Sequence, residues 1–177
     1  MMKKKLLLIP LIFFLSILLV FFYLLIIDRK PSELPSALLN KNVPKFETMS
    51  LFKEKKFVSS EVFGNEKQLV NFFATWCKPC RDEHSYIKLF SNREGIDVIG
   101  INYKDDDQKA IGWLDELGNP YSDIAIDKNG RIAIDWGVYG IPETFIVNSK
   151  GIIKYRHVGP ITKKIYKKIN LIINEIE

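Results

Sequence analysis

Three hydrophobic patterns organise the chain. The first is an uncharged run at residues 6–27. The second is a pair of short stretches, residues 68–75 and 96–101, that are apolar on both alternating faces. Strands of this kind are typical of a parallel sheet that is covered by helices on both sides. The third is the helical spacing of apolar residues, which predicts three amphipathic helices.

The predicted helices have recognisable ends. The helix at residues 78–91 carries Pro79 in its first turn, where no backbone N–H is needed. Asp105 or Asp106 caps the second helix, which ends at Gly118, and the last helix begins at about Thr162. The apolar residues at helical spacing are Ile87 and Phe90 in the first helix, Ala110, Ile111, Trp113, Leu114 and Leu117 in the second, and Ile161, Ile165, Ile169, Ile172 and Ile176 in the last.

Turn residues separate the remaining, shorter elements. These are a hairpin within residues 43–57, a short helix at 59–63, strand-like pieces at 123–127 and 132–136, and a hairpin formed by 144–148 and 152–157. Strands alternate with helices until the final hairpin and helix. This order predicts an α/β sandwich.

The uncharged run predicts a transmembrane signal anchor, because about 20 helical residues cross a bilayer. A cleaved signal peptide is the alternative, but the run is longer than the apolar region of such peptides and no A-x-A-like site follows it. Three preceding lysines favour a cytoplasmic N-terminus. The expected organisation is a cytoplasmic N-terminus at 1–5, an anchor at 6–27, a linker at 28–42 and a domain at 43–177 beyond the membrane.

The basic charge of the chain does not indicate a nucleic-acid-binding protein. The net charge is +5, but Arg and Lys form no stripe that is interleaved with aromatic residues. The leading lysines and a Lys-rich tail supply part of the charge. We therefore expect a solvated basic surface close to the lipid bilayer, and no nucleic-acid partner.

Cys77 and Cys80 are the only cysteines of the chain, and two residues separate them. A disulfide between them closes a loop worth about 2 kcal/mol in the chain-entropy model, less than a bridge across tens of residues. Small domains outside the cytoplasm that depend on disulfides often have several. One close pair therefore indicates a redox site that alternates between dithiol and disulfide.

The predicted strand at 68–75 brings the cysteines to the start of a helix. The partial positive charge and free N–H groups of a helix N-terminus favour a thiolate over a thiol. We expect Cys77, the first and more exposed thiol, to attack, and Cys80, one turn later, to resolve the mixed disulfide. Lys78 adds a positive charge beside the thiolate, and Pro79 stiffens the turn between the cysteines.

A metal site is the alternative use of these cysteines. Soft thiolates suit Cu(I), so a copper metallochaperone stays open as a non-enzyme alternative. His84 and His157 lack the spacing from the cysteines that a four-ligand zinc site requires. The acidic run at 105–107 lacks the Gly and Glu of a calcium loop. We expect neither a bound metal nor another cofactor.

Two segments resemble the thioredoxin superfamily. Residues 73–80, Phe-Ala-Thr-Trp-Cys-Lys-Pro-Cys, are similar to its active-site segment, and residues 137–145, Gly-Val-Tyr-Gly-Ile-Pro-Glu-Thr-Phe, are similar to its cis-proline loop. The second segment, with Gly-Ile-Ile-Lys-Tyr-Arg-His-Val-Gly-Pro at 151–160, resembles the DsbE/CcmG family. Members of that family are membrane-anchored thiol:disulfide oxidoreductases of bacterial cytochrome c maturation. The resemblance covers about residues 38–175.

The resemblance implies a thioredoxin-like three-layer sandwich, a central mixed sheet with helices on both faces, behind one N-terminal transmembrane helix. It implies that Pro142 is the cis residue of a loop that packs against the disulfide. It also implies that Glu83 and Glu143 tune the site, since a carboxylate near a thiol raises the pKa of that thiol or accepts its proton. A solvent-facing Glu83 in the first turns of the helix is the alternative.

Three positions qualify the resemblance. Asn71 stands where many thioredoxins carry a buried Asp as a proton relay, so a relay here would have to involve Glu83, Glu143 or water. Lys78-Pro79 stands where the family often has Pro-Thr, which leaves the reduction potential open. Trp76 is expected to flank the site at the surface, with a core position as its alternative.

The resemblance implies a protein disulfide reductase in the periplasm, held in the inner membrane by a single span. Its partners would be an apocytochrome c or a thiol protein of the heme-ligation machinery, and a membrane thiol reductase that restores the dithiol. A general periplasmic disulfide reductase or oxidase is the alternative, because the direction of electron flow depends on potential and partner.

Overall fold

The computed structural model describes residues 2–26, 37–52 and 54–176, with side chains described for residues 9–25 of the first helix. The chain divides into two compact units, Met1–Pro31 and Ser32–Glu177. Most of the predicted linker at 28–42 lies outside the described residues.

The first unit contains helix α1, Met2–Ile26, which includes most of the uncharged run. Pro10 lies inside this helix. Within the described part of the chain, no helix has the combination of length and hydropathy that a membrane crossing needs. The transmembrane anchor at residues 6–27 therefore stays a prediction.

The second unit begins with a small hairpin. Strands β1 (Glu47–Met49) and β2 (Lys56–Val58) pair antiparallel, as predicted, and the short helix α2 (Ser59–Val62) follows directly. The backbone N–H of Leu51 donates to the carbonyl of Ile124 at 2.9 Å. The hairpin thus lies along an edge of the main sheet.

A five-stranded mixed sheet forms the centre of the second unit. Its spatial order is β5-β4-β3-β6-β7. Its strands are β3 (Gln68–Phe73), β4 (Asp97–Tyr103), β5 (Asp123–Asp127), β6 (Glu143–Val147) and β7 (Ile153–Val158). The first three run parallel, while β6 and β7 are antiparallel to their neighbours. Every residue of the central strand β3 is buried, as its two apolar faces predict.

Helices cover both faces of the sheet. Helices α3 (Lys78–Ser91), α4 (Asp107–Leu117) and α6 (Lys163–Glu175) pack on one face, and α5 (Arg131–Asp135) packs on the other together with the hairpin. Buried residues of the first core include Leu69, Phe73, Ile87, Phe90, Trp113, Ile169 and Ile173. Those of the second include Phe57, Val70, Phe72, Ile99, Ile101, Trp136 and Phe145. The predicted three-layer α/β sandwich is confirmed.

Side-chain caps define where the long helices begin. Asp106 Oδ1 accepts the N–H of Lys109 at the start of α4, and Thr162 Oγ1 accepts the N–H of Ile165 at the start of α6. Each cap satisfies one of the N–H groups that a helix leaves free. Asp106 rather than Asp105 is therefore the cap of α4.

One element was predicted with the wrong type. Residues 132–136 were expected to form a strand, but 132–135 lie in helix α5 and Trp136 is its C-cap. Gly130, at a φ of 77°, turns the chain out of β5, and the Asp127 carboxylate accepts the N–H groups of Ile132 and Ala133 at 3.2 and 2.9 Å. This capping carboxylate belongs to the preceding strand, so the short alternation of apolar residues did not reveal the helix.

The apolar stripe of α6 also differs by one position. Ile169 and Ile173 are buried in the first core, whereas Ile172 is only partly buried. The spacing of four residues from Ile161 through Ile169 continues to Ile173, because neighbouring turns of one helix face are three to four residues apart. The sequence therefore predicted the buried face of the helix correctly up to Ile169 but named Ile172 in place of Ile173.

Candidate redox site

The two cysteines form a disulfide at the junction between β3 and α3. Their Cα atoms lie 5.3 Å apart, and the residues expose only 3% and 2% of their surface. Both are buried in the first core. The expected greater exposure of Cys77 is therefore not seen in the oxidised form.

Cys77 occupies the N-cap position of α3, which begins at Lys78 as the sequence predicted. Its Sγ accepts the backbone N–H of Cys80 at 3.1 Å. Pro79 lies in the first turn, where its missing N–H removes no helical hydrogen bond. A thiolate on Cys77 would keep this N–H donor and would face the positive end of the helix dipole. The site is thus built to stabilise the charged form of the first cysteine.

Trp76 and Lys78 flank the disulfide at the surface. Trp76 is 59% exposed, and its Nε1 donates to the carbonyl of Lys104 at 3.2 Å. The predicted surface position is therefore confirmed. The Lys78 ammonium lies 3.0 Å from the Asp82 carboxylate, one turn along α3. Because Asp82 shares this charge, we expect Lys78 to favour the thiolate less than its position in the sequence suggests.

Asp105 is a supporting residue that the sequence analysis missed. Its carboxylate accepts the Thr75 backbone N–H at 2.6 Å and the Thr75 hydroxyl at 2.8 Å, and it also accepts a hydrogen bond from Asn102. These contacts hold the residues just before Trp76 against the end of β4. The acidic run was interpreted only as a cap, but its three residues have different partners. Asp106 caps α4, and Asp107 pairs with Lys128 at 2.7 Å.

Glu83 is buried beneath the site rather than exposed to solvent. It lies three residues after Cys80 and exposes 1% of its surface. Its Oε1 accepts a hydrogen bond from Asn71 Nδ2 at 2.8 Å, and its Oε2 accepts the backbone N–H of Ile161 at 2.7 Å. The solvent-facing alternative is therefore wrong. Residues three apart share one helix face, so Glu83 lies on the face of Cys80.

Burial changes the acidity of Glu83. Loss of water around the carboxylate raises its pKa from 4.5 to about 7, while the hydrogen bonds from Ile161 and Asn71 act in the opposite direction. A carboxyl group with such a pKa exchanges protons near neutral pH, which an ordinary surface glutamate does not. Titratable groups that burial shifts in this way are candidates for proton transfer.

The cis-proline loop reaches the same end of the sheet. The Ile141–Pro142 peptide bond is cis, as the resemblance implied. The carbonyl of Pro142 accepts the N–H of Gly159 at 3.0 Å. Ile141 packs against the core cluster that contains both cysteines. The loop therefore meets the segment before α6, and its Ile141 side chain borders the first core.

Glu143 is fully buried, but it lies on the opposite face of the sheet from Glu83 and its hydrogen-bond partner Asn71. In the pairing of β3 with β6, Asn71 lies opposite Thr144 and Phe72 lies opposite Glu143, so Glu143 belongs to the other face of the sheet. There its Oε2 lies 2.7 Å from the Arg156 guanidinium, and its Oε1 accepts the Tyr139 N–H at 2.8 Å. Glu143 thus braces the cis-proline loop, and its predicted effect on the thiols would be indirect.

The two histidines bind main-chain carbonyls. His84 Nε2 lies 2.8 Å from the oxygen of Gly118, and His157 Nε2 lies 3.3 Å from that of Pro160. Burial is the largest influence on both and lowers the pKa of each. Among the residues that the structure describes, no three His, Cys, Asp or Glu side chains gather closely enough to hold a metal ion.

Known proteins share both the sequence and the fold. A family model described as Redoxin matches residues 39–170. The thiol:disulfide interchange protein DsbE of Escherichia coli K12 is 48% identical over 139 residues, covering 78% of this chain and 75% of that protein. DsbE of Vibrio cholerae is 42% identical over 134 residues, covering 76% and 72%.

Solved structures support the fold at lower sequence identity. A DsbF homologue from Corynebacterium diphtheriae superposes with a TM-score of 0.68 at 16% identity, covering 84% of this chain and 97% of that one. A secreted thiol-disulfide isomerase from Corynebacterium glutamicum gives 0.62 at 19% identity, covering 75% and 85%. The sandwich and its disulfide define a thiol:disulfide oxidoreductase of the thioredoxin fold. Within the Redoxin family, the chain belongs to the DsbE/CcmG family of thiol:disulfide interchange proteins.

Proposed function

We propose that the chain is a disulfide reductase in the assembly of c-type cytochromes. Its substrate would be the disulfide of a heme-binding Cys-x-x-Cys-His segment in an apocytochrome c, or that of a thiol protein of the heme-ligation machinery. A membrane thiol reductase would restore the dithiol. The observation that carries the reductase chemistry is Glu83, a buried carboxylate one helical turn after Cys80 with a pKa near neutrality.

The first step is attack by the Cys77 thiolate on one sulfur of the substrate disulfide. A mixed disulfide forms between Cys77 and the substrate, and the disulfide bond of the substrate breaks. The departing sulfur leaves with the electron pair and takes a proton from solvent. The Cys80 N–H and the start of α3 stabilise the attacking thiolate.

The second step releases the reduced product. Cys80 gives its proton to Glu83, and the resulting thiolate attacks the Cys77 sulfur. The disulfide between the two cysteines forms again, while the second substrate sulfur leaves with its electron pair and takes a proton. Two electrons have then passed from the dithiol to the substrate. A base with a pKa near 7 suits this step, because general bases work best near the operating pH.

We also place the catalytic domain in the periplasm, anchored in the inner membrane. The support is the uncharged run at residues 6–27 with three lysines before it. A domain held beside the membrane would stay within reach of a membrane thiol reductase. Lipid contact would then run through the N-terminal segment, not through the redox domain.

Genetic replacement of Cys77 by Ser tests the pathway. We expect c-type cytochromes to be lost in cells that carry this variant and to be retained with Lys78→Gln, which alters the neighbouring position only. Normal cytochrome levels with Cys77→Ser would contradict the pathway. A Cys80→Ser variant should accumulate the mixed disulfide, and mass spectrometry of that adduct identifies the substrate. An adduct with unrelated periplasmic proteins would favour a general reductase.

Equilibration with glutathione tests the direction of electron flow. A reductant should be more reducing than the strong periplasmic oxidants, whose potential is about −120 mV. A value near that figure would contradict the reductase assignment and favour an oxidase. Copper bound stoichiometrically to the purified, reduced protein would instead favour the metallochaperone, since two thiolates suit Cu(I).

A further inference from the structure

We propose that Tyr121 is a positioning residue for Glu83 and acts through the side-chain amide of Asn71. The inference rests on the proposed role of Glu83 as the proton acceptor of Cys80. All three side chains lie between the central sheet and α3, in the first core or at its border. Sequence spacing gives no sign that Tyr121 contacts Asn71, because the two residues are 50 positions apart.

Hydrogen bonds connect Tyr121 to Asn71 and Asn71 to Glu83, and each residue donates to the next. The Tyr121 hydroxyl donates to Asn71 Oδ1 at 2.8 Å. The Asn71 amide nitrogen donates to Glu83 Oε1 at 2.8 Å and to Thr144 Oγ1 at 3.1 Å. The amide therefore uses its oxygen toward Tyr121 and both of its N–H groups toward Glu83 and Thr144. A rotated amide would turn its oxygen toward the carboxylate and remove that donor.

The Tyr121 hydroxyl holds this orientation of the amide together with the Glu83 carboxylate. Burial, with a smaller contribution from Glu83, raises the pKa of Tyr121 well above its ordinary value, so the phenol keeps its proton and stays a donor. With the amide rotated, Tyr121 would lose Asn71 Oδ1 as the acceptor of its O–H, and that oxygen would face the Glu83 carboxylate, which cannot donate to it. Loss of the hydroxyl would leave a buried amide oxygen without its partner.

The ring of Tyr121 has a separate function in packing. It stacks on Phe73 with the ring centroids 4.8 Å apart and the planes inclined by 15°. Phenylalanine at this position would keep the stacking and remove only the hydroxyl. The two functions of Tyr121 can therefore be separated in one variant.

The Glu83 carboxylate depends on few donors. Among the described residues, its hydrogen-bond donors are Asn71 and the backbone N–H of Ile161. Of the other ionisable side chains near this face, Cys80 is held in the disulfide, while His84 and His157 contact the carbonyls of Gly118 and Pro160. Removing one of two donors from a buried carboxylate favours its protonated form. A more tightly held proton on Glu83 would make it a worse acceptor for Cys80 near neutral pH.

Carboxyl titration by ¹³C NMR on the oxidised full chain tests the inference. The Glu83 signal is assigned from its absence in Glu83→Gln. For Tyr121→Phe we expect the Glu83 midpoint to rise by up to about one pH unit, the size that complete loss of the Asn71 hydrogen bond to the charged carboxylate implies. Asn71→Leu, which removes the donor itself at similar volume, should raise the midpoint in the same direction.

Tyr86→Phe is the matched control. Like Glu83, Tyr86 lies on α3; its ring centroid lies 5.8 Å from that of Tyr166, and neither described hydrogen bond of Glu83 involves it. Its Glu83 midpoint should equal that of the wild type. An unchanged midpoint in folded Tyr121→Phe would overturn the inference. If that variant does not fold, an unchanged midpoint in Asn71→Leu would overturn it equally.

The pH profile of peptide-disulfide reduction separates this inference from the proposed function. A rate profile that moves to higher pH together with the NMR midpoint supports both. A shift of the NMR midpoint without a shift of the rate profile supports the positioning by Tyr121 and overturns the role of Glu83 as base.

Discussion

Glu83 shows how much of this site is decided at the level of one side chain. Burial of its carboxylate costs free energy through the loss of water, and among the described residues the hydrogen bonds from Asn71 and Ile161 offset part of that cost. Position along α3 indicated a residue near Cys80 but left burial open. The decisive partner, the Ile161 N–H, lies 78 positions later in the chain. Helical periodicity carries no information about such a contact.

The raised pKa of Glu83 predicts a pH dependence of stability. Between 4.5 and about 7 the folded state binds more protons at Glu83 than the unfolded state does, so its contribution to the free energy of unfolding falls as pH rises. The fall amounts to at most about 3 kcal/mol. Urea unfolding of the oxidised protein at several pH values should show this contribution in the wild type and its absence in Glu83→Gln.

The histidines make the comparison with Glu83→Gln necessary. Burial lowers the pKa of His84 and of His157, so each contributes stability that increases as pH rises toward 6.5. These contributions are common to both proteins and cancel in the difference. If the difference between wild type and variant did not change with pH, the raised pKa of Glu83 would be contradicted.

The buried ion pair between Glu143 and Arg156 leads to a second prediction about stability. Both side chains are almost fully buried, so removing one charge leaves the other without a partner. We expect Glu143→Ala to lower the free energy of unfolding by about 3–5 kcal/mol. Arg81→Ala, which breaks the exposed pair with Glu116, should cost less than about 1 kcal/mol. Similar losses in the two variants, measured by urea unfolding, would refute the bracing role.

At the scale of elements, the start of α3 is the feature that gives the cysteines their chemistry. The sequence predicted its first residue, its proline and its preceding buried strand, because each has a local signature. It did not predict how the loop before the helix is held. Asp105 and Thr75 make that contact between the ends of two neighbouring parallel strands, which only the assembled sheet brings together.

Replacing Asp105 tests this support. Asp105→Ala removes the hydrogen bonds to the Thr75 N–H and hydroxyl, and we expect the free energy of unfolding to fall by about 1–3 kcal/mol. Asp107→Ala is the control. Asp107 lies two residues after Asp105, and its replacement breaks only a partly exposed ion pair with Lys128. Urea midpoints measured on the oxidised proteins compare the two. Equal midpoints for both variants would mean that Asp105 does not hold the loop.

Lys78 provides the corresponding test for the helix terminus. If the N-terminus of α3 stabilises the Cys77 thiolate, removal of the Lys78 charge should change little, because Asp82 already shares that charge. We expect Lys78→Gln to alter the rate of thiol alkylation at pH 7 by less than about threefold, the scale of a surface ion pair. Asp82→Asn should raise the rate slightly, since it frees the ammonium. A tenfold loss in Lys78→Gln would assign the main effect to the side chain.

At the scale of the whole molecule, the predictable parts are those with local causes. The central strands, the starts of α3 and α6 and the final hairpin follow from apolar runs, helix-start residues and turn glycines. Helix α5 was missed because its cap, Asp127, lies on the preceding strand. Glu143 was expected beside the disulfide, but the pairing of β6 with β3 turns it to the other face of the sheet. Contacts between distant segments decided these cases.

The two units of the chain lead to the last prediction, which concerns attachment to the membrane. If residues 6–27 form an uncleaved anchor, the protein in cells should sediment with membranes, resist extraction by high salt and keep its full mass of 20.5 kDa. Replacing Leu15 and Leu19 by Lys should release it, because charged residues near the middle of a span are costly. Mass spectrometry of the protein from whole cells would decide against the anchor if it found only a shorter chain that begins after residue 27.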